Sequence, residues 1–98
     1  MKVETTSQYR REYKLAKKRG LPMHELDDAV EILKSGRPLP PKYLDHPLQG
    51  KFKGTHECHI RGNWLLVYSI DDQKVTLLLM RTGTHSDIFG NSKYKEER

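Results

Sequence analysis

A proline-rich break divides this sequence, and it limits the fold more than any other feature. Arg37-Pro38-Leu39-Pro40-Pro41-Lys42 cannot be helix, because three prolines remove backbone donors and fix φ. Before the break, apolar residues recur at helical spacing. After it, from about Phe52, they alternate with period two. Helices therefore come first and strands second, within the length of one domain.

The first half reads as a strand and two helices. Lys2–Thr5 suits a short strand. Thr5 or Thr6 then caps a helix, with Gln8 three residues after Thr5 as a capping-box partner. Tyr9, Tyr13 and Ala16 form an apolar stripe joined by Leu15, and Gly20 stops the helix. Pro22 suits the first position of a second helix. There Met23, Leu26, Ala29, Val30 and Leu33 share one face, Asp27, Asp28 and Glu31 face water, and Gly36 ends the helix. The short gap between them predicts an antiparallel helical hairpin.

Residues 37–50 read as a long loop, a kind of segment that is often functional. Cys58 and Ile60 then alternate with Glu57, His59 and Arg61, the pattern of a half-buried strand. Gly62-Asn63 is a tight hairpin signal. Trp64–Ile70 is apolar on both faces, Asp71-Asp72-Gln73 turns the chain, and Val75–Met80 forms another strand. These strands read as an antiparallel meander. Thr82–Gly90 leaves the sheet through one helical turn. The domain is expected to span residues 1–90, with 91–98 a polar, flexible tail.

The net charge is +5, and it is concentrated. Residues 1–19 hold seven basic and two acidic residues, while residues 20–98 hold 11 of each sign. Arg10, Arg11, Lys14, Lys17, Lys18 and Arg19 form a basic face on the first helix, suited to a polyanion such as nucleic acid. No apolar run reaches the ~18–20 residues of a membrane span, and Met1–Thr6 contains no apolar signal region. The single cysteine, Cys58, excludes an internal disulfide and a cysteine zinc cluster. A soluble cytoplasmic protein is expected.

Four residues could meet at one end of the sheet. His46 lies in the proline-flanked loop, His59 on a strand away from the Cys58/Ile60 face, and Arg81 and His85 at the end of the last strand. Imidazoles donate and accept protons near neutrality, which metal-free RNA cleavage requires. A guanidinium can hold the charge developing on phosphorus. Three histidines also admit a metal site, but no H-x-x-x-H or carboxylate-bearing pattern supports one, so no cofactor is expected. Lys51 and Lys53 flank Phe52, an arrangement suited to phosphate contact. Trp64 and Tyr68 suit the core, and Phe89 suits either a core edge or a stacking platform for a base.

Asp45-His46-Pro47-Leu48-Gln49-Gly50, Lys53-Gly54, His59, Trp64, Arg81-Thr82-Gly83-Thr84-His85 and Ile88-Phe89-Gly90 resemble the YafQ-type toxins of the RelE/ParE superfamily. The likeness runs from Tyr9 to Gly90. It implies a small α+β fold with a helical hairpin packed on a twisted antiparallel sheet, in agreement with the pattern. It also implies a ribosome-dependent endoribonuclease that cuts mRNA in the A site without a metal, neutralised by a cognate antitoxin. By resemblance the catalytic positions fall on His46, His59, Arg81 and His85. RNA contacts fall on Phe89, Asn63 and Trp64, and the basic helix meets ribosomal RNA or the antitoxin. In one departure, Asn63 stands where YafQ proteins carry Asp, and Asn neither accepts a proton nor charge-pairs with an imidazolium. Rival readings are a non-enzymatic binding protein, like the gyrase-poisoning relatives, and an attenuated toxin kept for antitoxin binding.

Overall fold

The computed structural model describes residues 1–90. The expected tail, 91–98, lies outside the described residues. The expected helical hairpin is present, and α1 spans Ser7–Lys18 and α2 Met23–Lys34. Thr6, not Thr5, is the N-cap of α1: its hydroxyl accepts the Tyr9 N–H at 3.0 Å and donates to the Met80 carbonyl at 2.7 Å. The Thr5/Gln8 capping box does not form: the Gln8 carboxamide oxygen accepts from Arg11 instead, and its nitrogen donates to Glu12 at 3.1 Å. Gly20, at φ 82°, ends α1 as expected. The Gly20 and Leu21 N–H groups bond to the Lys17 and Ala16 carbonyls, completing a Schellman cap. Pro22 is the N-cap of α2 rather than its first residue.

Five strands make one sheet in the order β1-β5-β4-β3-β2, with β1 Lys2–Thr5, β2 His46–Pro47, β3 His56–Arg61, β4 Trp64–Asp71 and β5 Thr76–Gly83. β3, β4 and β5 form the expected antiparallel meander, and β2, inside the segment read as a loop, joins β3 antiparallel. The sheet is mixed, because β1 lies parallel to β5. The expected long loop carries two 3-10 turns, Pro41–Tyr43 and Gly50–Phe52, with β2 between them. After β5, Thr84 and Asp87 form a reciprocal capping box that starts α3, His85–Phe89.

Both sheet faces are covered. Leu26, Ala29 and Leu33 of α2 and Tyr9 and Ala16 of α1 pack with Cys58, Ile60, Trp64, Leu66, Tyr68, Leu77 and Leu79. Leu15, expected in the stripe, is 44% exposed. On the opposite face, Leu48, Ile88 and Phe89 pack over Leu65 and Val67. That second cluster positions the site, and on its face Glu57 of β3, paired with Val67, is buried where the half-buried reading of the strand left it in water.

Candidate active site

Strand register assembles the site on the second face. His46 pairs with Glu57, Glu57 with Val67, and Val67 with Arg81. Directly paired residues share a face, so these four form one row across β2 to β5. In the next row His59 pairs with Leu65, and Leu65 with Gly83. His85, in the first turn of α3, then folds back over this row.

Three of the four expected catalytic residues meet there. The His59 ring lies 6.4 Å from that of His46 and 6.3 Å from that of His85, centre to centre. Their focus is Glu57, which the sequence reading left pointing outward. Its side chain is 1% exposed, and its Oε2 lies 3.2, 3.7 and 3.8 Å from Nε2 of His46, His59 and His85.

Backbone carbonyls fix two of the ring orientations. His46 Nδ1 lies 2.8 Å from the Leu44 carbonyl, and His59 Nδ1 lies 3.1 Å from the Gly62 carbonyl. A carbonyl only accepts, so Nδ1 carries the proton in both rings. Nε2 of each is therefore the atom free to exchange a proton, and it faces a carboxylate. Glu57 is thus placed to face a positive charge that forms on any of the three rings.

Glu57, His59 and His85 can also each offer one ligand atom, all within 4.8 Å of one another. The expectation that no carboxylate accompanies the histidines is thereby corrected. Glu57 supplies one, and the trio matches the donor set that binds zinc-like ions.

Arg81 joins the row but not the cluster. Val67 separates it from Glu57, so it stands two strands away, about 10 Å at ~4.8 Å per strand. Its Nε donates to Glu12 at 3.0 Å, and one Nη donates to Glu12 at 2.7 Å and to the Asp87 carbonyl at 3.2 Å. Burial disfavours the Glu12 charge. Hydrogen bonds from Arg81, Gln8 and the Thr82 N–H outweigh it and hold the carboxyl below its ordinary range.

The expected RNA-contacting residues divide. Trp64 is 4% exposed. Its indole N–H donates to the Thr82 hydroxyl at 2.9 Å, which in turn donates to the Leu65 carbonyl at 2.8 Å. Buried and satisfied, Trp64 packs in the core with its indole N–H turned inward. Phe89 is also interior at 4% exposure. It packs edge-on to Phe52 at 5.3 Å and lies 5.5 Å from the His85 ring. It closes the core edge beneath His85, the first of its two expected roles. Lys51 and Lys53 are exposed beside Phe52.

Asn63 is exposed in the β3–β4 hairpin, where Gly62 at φ 55° takes the positive-φ position. It lines a cleft of about 400 Å³ with Glu12, Leu15, Trp64, Arg81 and Asp87. On α1, Lys14, Lys17 and Lys18 are exposed. Arg10 donates to the Thr5 carbonyl at 3.0 Å, Arg11 bonds to Gln8, and Arg19 lies 3.7 Å from Asp87. None of the described helices is long and apolar enough to cross a membrane.

Residues 1–90 match the family model described as a bacterial toxin of type II toxin–antitoxin systems, YafQ. The mRNA interferase toxin YafQ of Escherichia coli (strain K12) is 40% identical over 89 residues, covering 90% of this chain and 95% of that one. The toxin in the E. coli DinJ–YafQ toxin–antitoxin complex is 40% identical, with a TM-score of 0.82 over 90% of this chain and 96% of that one. A metal-bound toxin from Helicobacter pylori is 40% identical, with a TM-score of 0.85 over 91% and 99% of the two chains. Fold and site therefore define a bacterial toxin of the type II toxin–antitoxin class. Within that class, the chain belongs to the YafQ family.

Proposed function

We propose that this protein is an mRNA interferase: a cytoplasmic toxin, acting through residues 1–90, that cuts mRNA on the ribosome and is held inactive by a cognate antitoxin. The observation that carries this reading is the convergence of three imidazole Nε2 atoms on buried Glu57 in a chain of the YafQ family.

The chemistry is transfer of the phosphoryl group to the neighbouring 2′-oxygen. His46 or His59, with Nδ1–H tied to a carbonyl, takes the 2′-OH proton on Nε2. Glu57 stabilises the imidazolium that forms. The 2′-oxygen bonds to phosphorus, the bond to the 5′-oxygen breaks, and His85 protonates that leaving oxygen. The products are a 2′,3′-cyclic phosphate, or its hydrolysed form, and a 5′-hydroxyl. Proton transfer of this kind contributes ~10²–10⁴ in rate. Arg81 stabilises the charged phosphorus, and a phosphate would meet the guanidinium edge that Glu12 leaves open. Lys51 and Lys53 hold RNA phosphates. The exposed lysines of α1 meet ribosomal RNA or acidic antitoxin residues, a salt-sensitive contact.

The test is primer-extension mapping of mRNA ends after induction, with His85→Ala as control. Discrete cuts within coding sequence that vanish in His85→Ala are expected. Arrest of growth with intact mRNA, or arrest of DNA replication, would instead indicate a binding protein.

A further inference from the structure

The chain reaches His46 through a strained corner. Leu44 lies in the left-handed region at φ 50°, ψ 42°, a conformation unfavourable for residues other than glycine. Its side chain is 60% exposed, so burial of that side chain does not offset the strain. What the conformation supplies is a direction: the Leu44 carbonyl meets Nδ1 of His46 at 2.8 Å. That contact leaves Nε2 facing Glu57.

Backbone bonds flank the corner, with the Leu44 N–H on the Pro41 carbonyl and the Leu48 N–H on the Thr55 carbonyl, each at 3.0 Å. Between them β2 pairs with β3 through His46 and Pro47, and Pro47 has no N–H to give the ladder, so residue 45 is held chiefly by its side chain. Asp45, between the strained residue and the histidine, sends its carboxylate toward the opposite sheet face. There it accepts the Tyr68 hydroxyl at 2.6 Å and lies 3.5 Å from Nδ1 of His56. Tyr68 is buried in the helix-side core and stacks on His56 at 5.5 Å. Burial and the bond to Asp45 push its phenol well above the ordinary range, so the hydroxyl stays a donor. None of these groups faces the site.

We propose that Tyr68, Asp45 and Leu44 form a positioning clasp for His46, acting through the sheet. Tyr68 pins Asp45, the pinned corner keeps Leu44 left-handed, and the Leu44 carbonyl fixes the His46 tautomer. The catalytic consequence rests on the nuclease reading above, whereas the tautomer does not.

The experiment reads both. Tyr68→Phe keeps the ring and removes only the hydroxyl. Imidazole 15N resonances of His46, recorded where the ring is neutral, should change from the Nδ1–H pattern to a mixture of tautomers. The kcat for ribosome-bound mRNA should fall ~10–100-fold, the scale of a small misplacement of a reacting group, with KM unchanged. Asp45→Asn, which still accepts the Tyr68 hydroxyl, should keep the parent tautomer. Leu44→Gly should keep it too, because glycine favours the same backbone. Asp45→Ala repeats the test if Tyr68→Phe does not fold. An unchanged His46 tautomer in folded Tyr68→Phe or Asp45→Ala overturns the clasp. A changed tautomer with unchanged cleavage upholds the clasp and removes His46 from the reaction. No cleavage by the parent overturns the nuclease reading, while the tautomer still decides the clasp.

Discussion

Replacing Glu57 with Gln tests the site most directly. The side chain is 1% exposed, and its Oε2 lies 3.2–3.8 Å from three Nε2 atoms. Glutamine keeps the shape and removes the charge. With no carboxylate to stabilise it, an imidazolium formed at His46 or His59 loses its partner. Loss of a proton-transfer group costs ~10²–10⁴ in rate, or about 2.7–5.4 kcal/mol of barrier at ~1.36 kcal/mol per decade. Stability should fall as well. Removing one partner of a fully buried ion pair costs ~3–5 kcal/mol; the three histidines here are partly exposed, so the loss should be smaller, and the melt shows that the variant is folded at the assay temperature. The assay is single-turnover cleavage of mRNA on purified ribosomes, with a thermal melt of the same sample. Glu57→Asp, which restores the charge but draws it back by about 1.5 Å, should fall between parent and Gln. A folded Gln variant that cuts within tenfold of the parent refutes the assignment.

Three further outcomes follow from neighbouring contacts. Glu12→Gln should destabilise the protein by ~1.5–3 kcal/mol at pH 7, the usual worth of hydrogen bonds to a charged group. Because the folded Glu12 carboxyl is held low, its stabilisation is present above the unfolded value of ~4.3 and is lost as pH falls through the folded value. Urea midpoints from pH 7 down to pH 2.5 should therefore converge for parent and variant, and equal midpoints at pH 7 would refute this. Gly83→Ala places a methyl 3.0 Å from Asp87 Cβ at φ 154°. It should disturb the Thr84/Asp87 capping box, at ~1–2 kcal/mol for a lost cap, and reduce cleavage by displacing His85. An unchanged melt and rate would refute it. Asn63→Asp should raise cleavage by less than the ~10² of a true acid or base, because Glu57 already supplies the carboxylate. A larger gain in the same cleavage assay would return position 63 to the chemistry.

The helices and the period change were legible in the sequence, because each depends on local spacing; the meeting of His46, His59 and His85 was expected from the strand reading and the family resemblance together. Glu57 was missed for a physical reason. Alternation groups it with His59, and a charged face on a strand ordinarily meets water. Yet Trp64–Ile70 is apolar on both faces, and Leu65 and Val67 pair with His59 and Glu57. A neighbour with two apolar faces requires cover over both, so Glu57 could not remain in water. E-x-H on a strand beside such a neighbour was the available signal. The parallel pairing of β1 with β5 was not legible, since no local pattern encodes which strand a distant segment joins.

Arg81 and Trp64 show a different limit. Resemblance carries a position across but not the contacts of its side chain. Trp64 occupies its expected position and uses its indole N–H inside the core. Arg81 occupies its position too, and its guanidinium links Glu12 of α1 to the Asp87 carbonyl of α3. Since α3 carries His85 and α1 carries the basic face, one side chain ties the basic helix to the turn that holds His85. Removing Arg81 would therefore both withdraw charge from the phosphate and loosen His85, and a loss of cleavage alone would not tell these apart. Glu12→Gln leaves both the guanidinium charge and its bond to the Asp87 carbonyl in place, so a loss of cleavage in that variant would report on the tie between α1 and β5 instead.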